Sequence, residues 1–159
     1  MTQFFARRYD TLRAVAITLS GPRIARIEPL RGEAAGKEEA ALPVVAPGLV
    51  DLQINGFGGI EFNDPELTLE KVRRVALSQD RFGVTAFLAT CTTDAHEVLR
   101  QAMATIARAI RELPEVAARV PGIHLEGPFI SPEDGPRGAH PRAHVRPPDW
   151  DEFCRLQEA

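Results

Sequence analysis

The sequence predicts an α/β chain: a small N-terminal β layer, read as part of a β-sandwich, followed by the first three or so βα units of an incomplete (β/α)8 TIM-like barrel. Three observations predict it. Short apolar runs separated by turn residues fill the first part of the chain. From position 47 on, strand-type runs alternate with helix-type amphipathic runs, the order that parallel βαβ units produce. Finally, the 159 residues fall short of the ~250 that a closed (β/α)8 barrel takes, so only about three of its units fit. The division falls into residues 1–46 for the β layer and 47–159 for the partial barrel.

Taken in order, residues 14–19 and 23–27 are apolar or alternating runs separated by the turn pair Gly21-Pro22. The stretch 31–41 is charged and rich in Gly and Ala, and reads as an exposed loop. Residues 49–55 form the first strand of the second part. A helix follows from about Thr68, with Leu69, Val72, Val75 and Ala76 on one face and Gly83 as terminator. Residues 84–90 are mostly apolar and partly β-branched, as a buried parallel strand is. Asp94 reads as the cap of a second helix, with Glu97 three residues on and an apolar stripe through Leu99, Ala102, Met103, Ile106, Ile110 and Leu113 that ends at Pro114. Residues 123–126 make a third short strand. A last helix begins near Pro148 and Asp149, with Trp150, Phe153 and Leu156 as its expected buried face. No stop signal precedes Ala159, and the chain is expected to be cut short.

Composition excludes several function classes. With 44% hydrophobic and 26% charged residues the sequence is that of an ordinary globular protein. No apolar run approaches the ~18 residues of a membrane span, and the first residues lack a secretory pattern. A net charge of −3 gives no reason to expect nucleic acid or a membrane surface as partner. Cys91 and Cys154 stand far apart, which suits neither a disulfide framework nor a thiolate zinc site and points to a reducing cytoplasm.

Three motifs carry chemistry. In Pro47-Gly48-Leu49-Val50-Asp51-Leu52-Gln53-Ile54-Asn55-Gly56, Gln53 and Asn55 stand two apart and share one face of a strand. Alone, that strand reads either as half-buried with two polar residues toward water or as the wall of a site. In Gly122-Ile123-His124-Leu125-Glu126-Gly127-Pro128-Phe129, Glu126 ends a strand, where parallel barrels gather their reactive groups. An inward carboxylate there needs a cation or hydrogen-bond donors; a salt bridge at the sheet end is the structural alternative. The third motif lies in the long Gly- and Pro-rich stretch 127–147, which contains Gly138-Ala139-His140. Connections beyond ~12 residues without regular structure are usually functional or disordered. No Walker-type loop and no G-x-G-x-x-G after a strand occurs, so the sequence does not reveal a phosphate-binding group.

These motifs, in this order, resemble those of the N-acetylglucosamine-6-phosphate deacetylases of the amidohydrolase superfamily, and the resemblance spans nearly the whole chain. The superfamily's usual opening strand is Pro-Gly-x-x-Asp-x-His-x-His, whose two histidines bind a metal. Here Gln53 and Asn55 replace them, and carboxamides are weak ligands beside imidazole. The replacement argues against a two-metal centre and, with Gly56-Phe57-Gly58-Gly59 and Phe62-Asn63 behind it, resembles the deacetylases, many of which use one metal. The resemblance implies that Glu126 is a ligand of one divalent metal ion (zinc or similar) and that Ala139 and His140 contact the substrate. His124 would pack behind the ligand or hydrogen-bond to it. His144 has no counterpart and reads as a solvated loop residue, and His96 as surface.

The implied reaction is hydrolysis of N-acetylglucosamine 6-phosphate to glucosamine 6-phosphate and acetate, a small-molecule amino-sugar phosphate being the partner. In the family the remaining metal histidines and the general-base Asp come later in the sequence. No catalytic residue is therefore expected within this chain, which is expected to be inactive alone; the full-length form is expected to be a cytoplasmic homo-oligomer. Two alternatives stay open: a non-catalytic fragment, or another amidohydrolase acting on a related N-acyl substrate, although the latter usually keeps the His-x-His pair.

Overall fold

The structure is a computed structural model that describes residues 1–30 and 39–159. It divides into two compact units, Met1–Pro47 and Gly48–Ala159.

The first unit is a four-stranded sheet of order β3-β2-β1-β4, built from β1 (Thr2–Arg8), β2 (Ala14–Ser20), β3 (Arg23–Pro29) and β4 (Val44–Val45). β1, β2 and β3 pair antiparallel, and β4 joins β1 in parallel. Gly21, at φ +59, occupies the first central position of the two-residue turn between Ser20 and Arg23, where a left-handed backbone matches the twist of the flanking strands. Ala6, Val15 and Ile17 form the small core, with Leu19 and Val45 against it. The sequence signalled β2 and β3 but not β1, whose Arg7 and Arg8 obscure its pattern. Most of the stretch read as a loop, 31–38, lies outside the described residues. Its end, Glu39–Ala41, is a turn of 3-10 helix.

The second unit is built on a parallel sheet of order β5-β8-β9, formed by β5 (Leu49–Ile54), β8 (Val84–Thr92) and β9 (Gly122–Glu126). Between β5 and β8 run the two-residue strands β6 (Gly56–Phe57) and β7 (Ile60–Glu61), then α1 (Leu69–Ser78). Between β8 and β9 run α2 (His96–Glu112) and the single turn α3 (Pro114–Ala117). Because side chains alternate along a strand, Phe87, Ala89 and Cys91 of β8 share one face. That face packs with Val72, Val75, Ala76, Leu99, Ala102 and Ile106 from the helices. Thr68 caps α1 by accepting the Lys71 N–H at 3.2 Å. A 3-10 turn, Asp80–Phe82, then leads to Gly83 in the left-handed region at φ +76.

Three sequence expectations need correction. Asp94 does not cap α2; the cap position is Ala95, with no side-chain cap bond. Asp94 instead accepts from the Ala95 N–H at 2.7 Å and from Asn63 Nδ2 at 3.2 Å. In α4 (Trp150–Gln157), Trp150 is 73% exposed and the buried positions are Glu152 and Leu156. The helix is turned that way because Arg146 and His96 draw the Glu152 carboxylate inward. By the same contact, His96 is half-buried at 3.0 Å from Glu152 rather than free on the surface.

Candidate active site

The uncovered face of the second sheet is polar. Thr90 and Thr92 of β8 stand opposite His124 and Glu126 of β9 in register. The order β5-β8-β9 puts Gln53 and Glu126 on the two outer strands, about 10 Å apart across the sheet. They nonetheless meet: Gln53 Nε2 donates to Glu126 Oε2 at 2.6 Å. Two side chains close such a gap only by rising from the same face. Both oxygens of a carboxylate accept, so Glu126 keeps a second oxygen for another partner.

That second oxygen, Oε1, lies 3.6 Å from His140 Nε2, too far for a hydrogen bond. Glu126, Ala139, His140, Pro141, Asn55 and Thr92 line a cavity of about 210 Å³. Asn55 and Thr92 also line a neighbouring cavity of about 400 Å³ with Phe57, Ile60, Glu61 and Asn63. The structure thus brings together Glu126, Ala139, His140 and Asn55 at one cavity, with Gln53 attached through its hydrogen bond to Glu126. His124 lies deeper on the same face, 3.4 Å from the Thr90 hydroxyl through Nδ1, and does not line either cavity. His144 Nε2 sits 3.8 Å from Asp94 Oδ1, a weak tie that leaves it half-exposed in the loop.

Several residues that hold the site were given no such role in the sequence reading, Asn63 and Gly127 appearing there only as parts of motifs. Thr93 is buried, and its Oγ1 lies 2.8 Å from His140 Nδ1 and 3.4 Å from the Glu126 carbonyl. Gly127 sits at φ +83, and a Cβ there would come within 2.0 Å of Thr93 Oγ1; only glycine lets the chain turn so tightly over that hydroxyl. Asn63 bridges both backbone groups of Thr92, accepting its N–H at 2.9 Å and donating to its carbonyl at 2.9 Å. Arg137 Nη1 donates to the His140 carbonyl at 2.6 Å. Arg146 pins the far end of the loop by donating to the Asp94 and His144 carbonyls and to Glu152. The available signal was position: Thr92 ends a parallel strand and Thr93 and Asp94 follow it, where such sites form.

The chain's similarity to known proteins bears on these residues. Over 116 residues, 71% of the chain, it is 41% identical to the human N-acetylglucosamine-6-phosphate deacetylase. It is 34% identical over 117 residues, 72% of the chain, to the enzyme of that name from Bacillus subtilis. Its relatives are N-acetylglucosamine-6-phosphate deacetylases. A further relative, 42% identical over 62% of the chain, is the N-acetylgalactosamine-6-phosphate deacetylase of a Shewanella strain. Among solved structures, the Mycobacterium smegmatis N-acetyl-D-glucosamine-6-phosphate deacetylase, a variant in complex with N-acetyl-D-glucosamine-6-phosphate, superposes with a TM-score of 0.74 at 26% identity. That match covers 99% of this chain and 41% of the other. The Thermotoga maritima deacetylase gives 0.70 at 27% identity, covering 88% and 34%. No protein-family model matches the chain. The chain spans about a quarter of the length of these curated relatives, 27% of the human enzyme and 28% of the Bacillus one.

The motif resemblance implies a divalent metal ion at Glu126, and the donors around that residue bear on this expectation. Among the described residues no group of three or more His, Cys, Asp or Glu side chains comes together to hold one. Glu126 is a single carboxylate, one of whose oxygens already accepts from Gln53. A catalytic zinc takes about three protein ligands. The residues present do not by themselves fit the ion. No helix among the described residues is long and apolar enough to cross a membrane.

Proposed function

We propose that this chain is the N-terminal part of a hydrolase that removes the acetyl group of N-acetylglucosamine 6-phosphate, yielding glucosamine 6-phosphate and acetate. In this reading residues 1–46 are part of a β-sandwich and residues 47–159 part of a (β/α)8 barrel. The observation that carries it is the meeting of the three motifs. Gln53 holds Glu126 by a 2.6 Å hydrogen bond, and Glu126 shares a cavity with Asn55, Ala139 and His140. The names of the relatives supply the substrate class.

The chain's own groups have definite tasks in such a site. The Gln53 N–H fixes the Glu126 carboxylate toward the cavity, and Asn55 offers a second carboxamide at its rim. His140 and Ala139 border the space where an acetamido sugar would sit. One divalent ion, zinc or similar, belongs to the reading, with Glu126 as its single ligand from this chain. The proposal also holds that the full-length protein is a cytoplasmic homo-oligomer, in keeping with the two free thiols Cys91 and Cys154.

A second reading, a non-catalytic fragment, is favoured by the incomplete donor set among the described residues. The two part company in one assay. Acetate release is measured with N-acetylglucosamine 6-phosphate and its galacto epimer, on a longer protein that opens with these residues and on residues 1–159 alone. The longer protein is expected to release acetate from the gluco substrate when supplied with divalent metal. Residues 1–159 are expected to release none and to lack a cooperative monomeric unfolding transition. The reason lies in β5, an edge strand whose Leu49, Val50 and Leu52 are 60%, 64% and 68% exposed. A longer protein that leaves both sugars intact would overturn the assignment.

A further inference from the structure

At the C-terminal end of the sheet β5 and β8 part company. Their pairing runs as far as Ile54 opposite Ala89, whereas β8 continues to Thr92, opposite Glu126 of β9. The Thr92 main-chain N–H and C=O need a partner there, and β5 no longer reaches them. A side chain takes the place of the strand. Asn63 Oδ1 accepts the Thr92 N–H at 2.9 Å, and Asn63 Nδ2 donates to the Thr92 carbonyl at 2.9 Å. The second Nδ2 hydrogen goes to Asp94 Oδ2 at 3.2 Å, so both hydrogens of the carboxamide are used. The preceding residue anchors it. Phe62 is wholly buried, and its main-chain N–H donates to the Asn55 carbonyl at 3.0 Å. Residues 62 and 63 thus stitch the end of β5 to the end of β8.

We infer that Asn63 is a positioning residue that holds two walls of the substrate cavity at a fixed separation. One wall is Asn55 with the β6–β7 hairpin behind it; the other is Thr92. Between them lies the cavity of about 400 Å³. Asn55 and Thr92 also border the cavity of about 210 Å³ that contains Glu126, so the two spaces share the walls that Asn63 ties together. Without the carboxamide, the Thr92 N–H and C=O turn to water and the gap between the strand ends varies. A guest bound across that gap loses affinity, while Glu126 keeps its own bond to Gln53. The effect therefore falls on binding in ground and transition state alike, which is read as a change in KM with kcat preserved. The inference deepens the proposed function and rests on it only for the identity of the guest.

The test compares Asn63→Leu with the double variant Asn63→Asp/Asp94→Asn, both in the longer protein. Leucine keeps the shape and removes every bond. The double variant exchanges donor and acceptor between the two residues: it keeps an acceptor for the Thr92 N–H and loses only the donation to the Thr92 carbonyl. The first readout is hydrogen exchange at the Thr92 amide, which needs no turnover. That amide is expected to be protected in the wild type and in the double variant. In Asn63→Leu it should exchange roughly fivefold to tenfold faster, the worth of one ordinary hydrogen bond. An amide unprotected in the wild type, or equally protected in the leucine variant, overturns the inference. The second readout is acetate release. Asn63→Leu should raise KM for the sugar phosphate by roughly tenfold and leave kcat within about twofold, with the double variant in between. An unchanged KM, or a loss confined to kcat, also overturns it. Should the leucine variant fail to fold, wild-type exchange and the KM of the double variant still decide. A wild-type protein that releases no acetate, yet shows the expected Thr92 exchange, would count against the proposed function and leave the role of Asn63 standing.

Discussion

The two faces of the three-stranded sheet obey different rules. On the face under the helices, Phe87 is 1% exposed and Ala89 and Cys91 are wholly buried. Burial there pushes the Cys91 thiol up to about 12, so it stays protonated and unreactive. On the other face, His140 and Glu126 keep 20% and 30% of their side chains exposed and exchange their contacts with polar groups. One face holds the unit together through area removed from water, about 25 cal/mol per Å². The other contributes little apolar burial and arranges donors and acceptors around a cavity. A substitution should therefore report its face by what it changes, stability or chemistry.

The largest effect is expected at Phe87→Ala. The ring is among the largest fully buried side chains and packs into the cluster shared by β8, α1 and α2. Large-to-small changes of this kind cost about 3–5 kcal/mol. Chemical denaturation of the longer protein would measure it, and a loss below about 1 kcal/mol would mean that the covered face does not carry the fold.

That contrast explains what was legible in the sequence. The covered face announced itself through periodicity: the α1 face at Leu69, Val72, Val75 and Ala76 and the α2 stripe from Leu99 to Ile110 pack as the spacing indicates. The turn at Gly21 and the end at Gly83 were legible because a left-handed backbone favours one residue type. The open face was legible only where a motif resembled a family, as at Gln53, Asn55, Glu126 and His140. The contacts of Thr93 and Asn63 were not legible because their partners lie far off in sequence, 29 to 47 residues away, and no local pattern encodes such pairs. Arg137 bonds only three residues away, to the His140 carbonyl, but an arginine in an irregular loop carries no periodic signal. The exposure of Trp150 was missed for a similar reason: helical spacing favours burying it, and the draw on Glu152 from Arg146 and His96 overrides that preference.

An intermediate effect is expected where a polar group is itself buried. Glu152 is 6% exposed, bonded to Arg146 Nε at 2.8 Å and to His96 at 3.0 Å. The Arg146 guanidinium holds its carboxyl below the ordinary value of 4.5, with His96 adding to the effect and burial opposing it. A carboxyl depressed in the folded state lends stability above its unfolded pKa and loses it as pH falls through the folded value. Glu152→Gln should thus cost about 1.5–3 kcal/mol at neutral pH, and the gap to wild type should shrink once pH drops below about 4.5. Denaturant midpoints at pH 7 and pH 3 would show it. An equal gap at both pH values would mean that the ion pair does not anchor α4 and the loop.

The smallest effect on stability, and the one that separates the faces most cleanly, is expected at Glu126→Gln. Its carboxylate accepts one hydrogen bond, from the exposed Gln53, and the residue is not part of the apolar core. The change is nearly isosteric, and a hydrogen bond at such a site is worth about 1 kcal/mol or less. Denaturation curves should move little. The chemistry should not survive equally well, because an amide lacks the anionic oxygen that a divalent cation prefers and points an N–H at Gln53 or at the cavity. Metal content after dialysis and acetate release, both on the longer protein, should fall by about tenfold or more, the scale set by disturbing a metal ligand or its support. His140→Ala makes the complementary case: it should keep the metal and lose turnover. If Glu126→Gln retains its metal and its activity, Glu126 has only a structural part, as a hydrogen-bond acceptor tying β9 to β5. If it loses several kcal/mol of stability instead, the open face holds the sheet together as well, and the division of labour between the two faces fails.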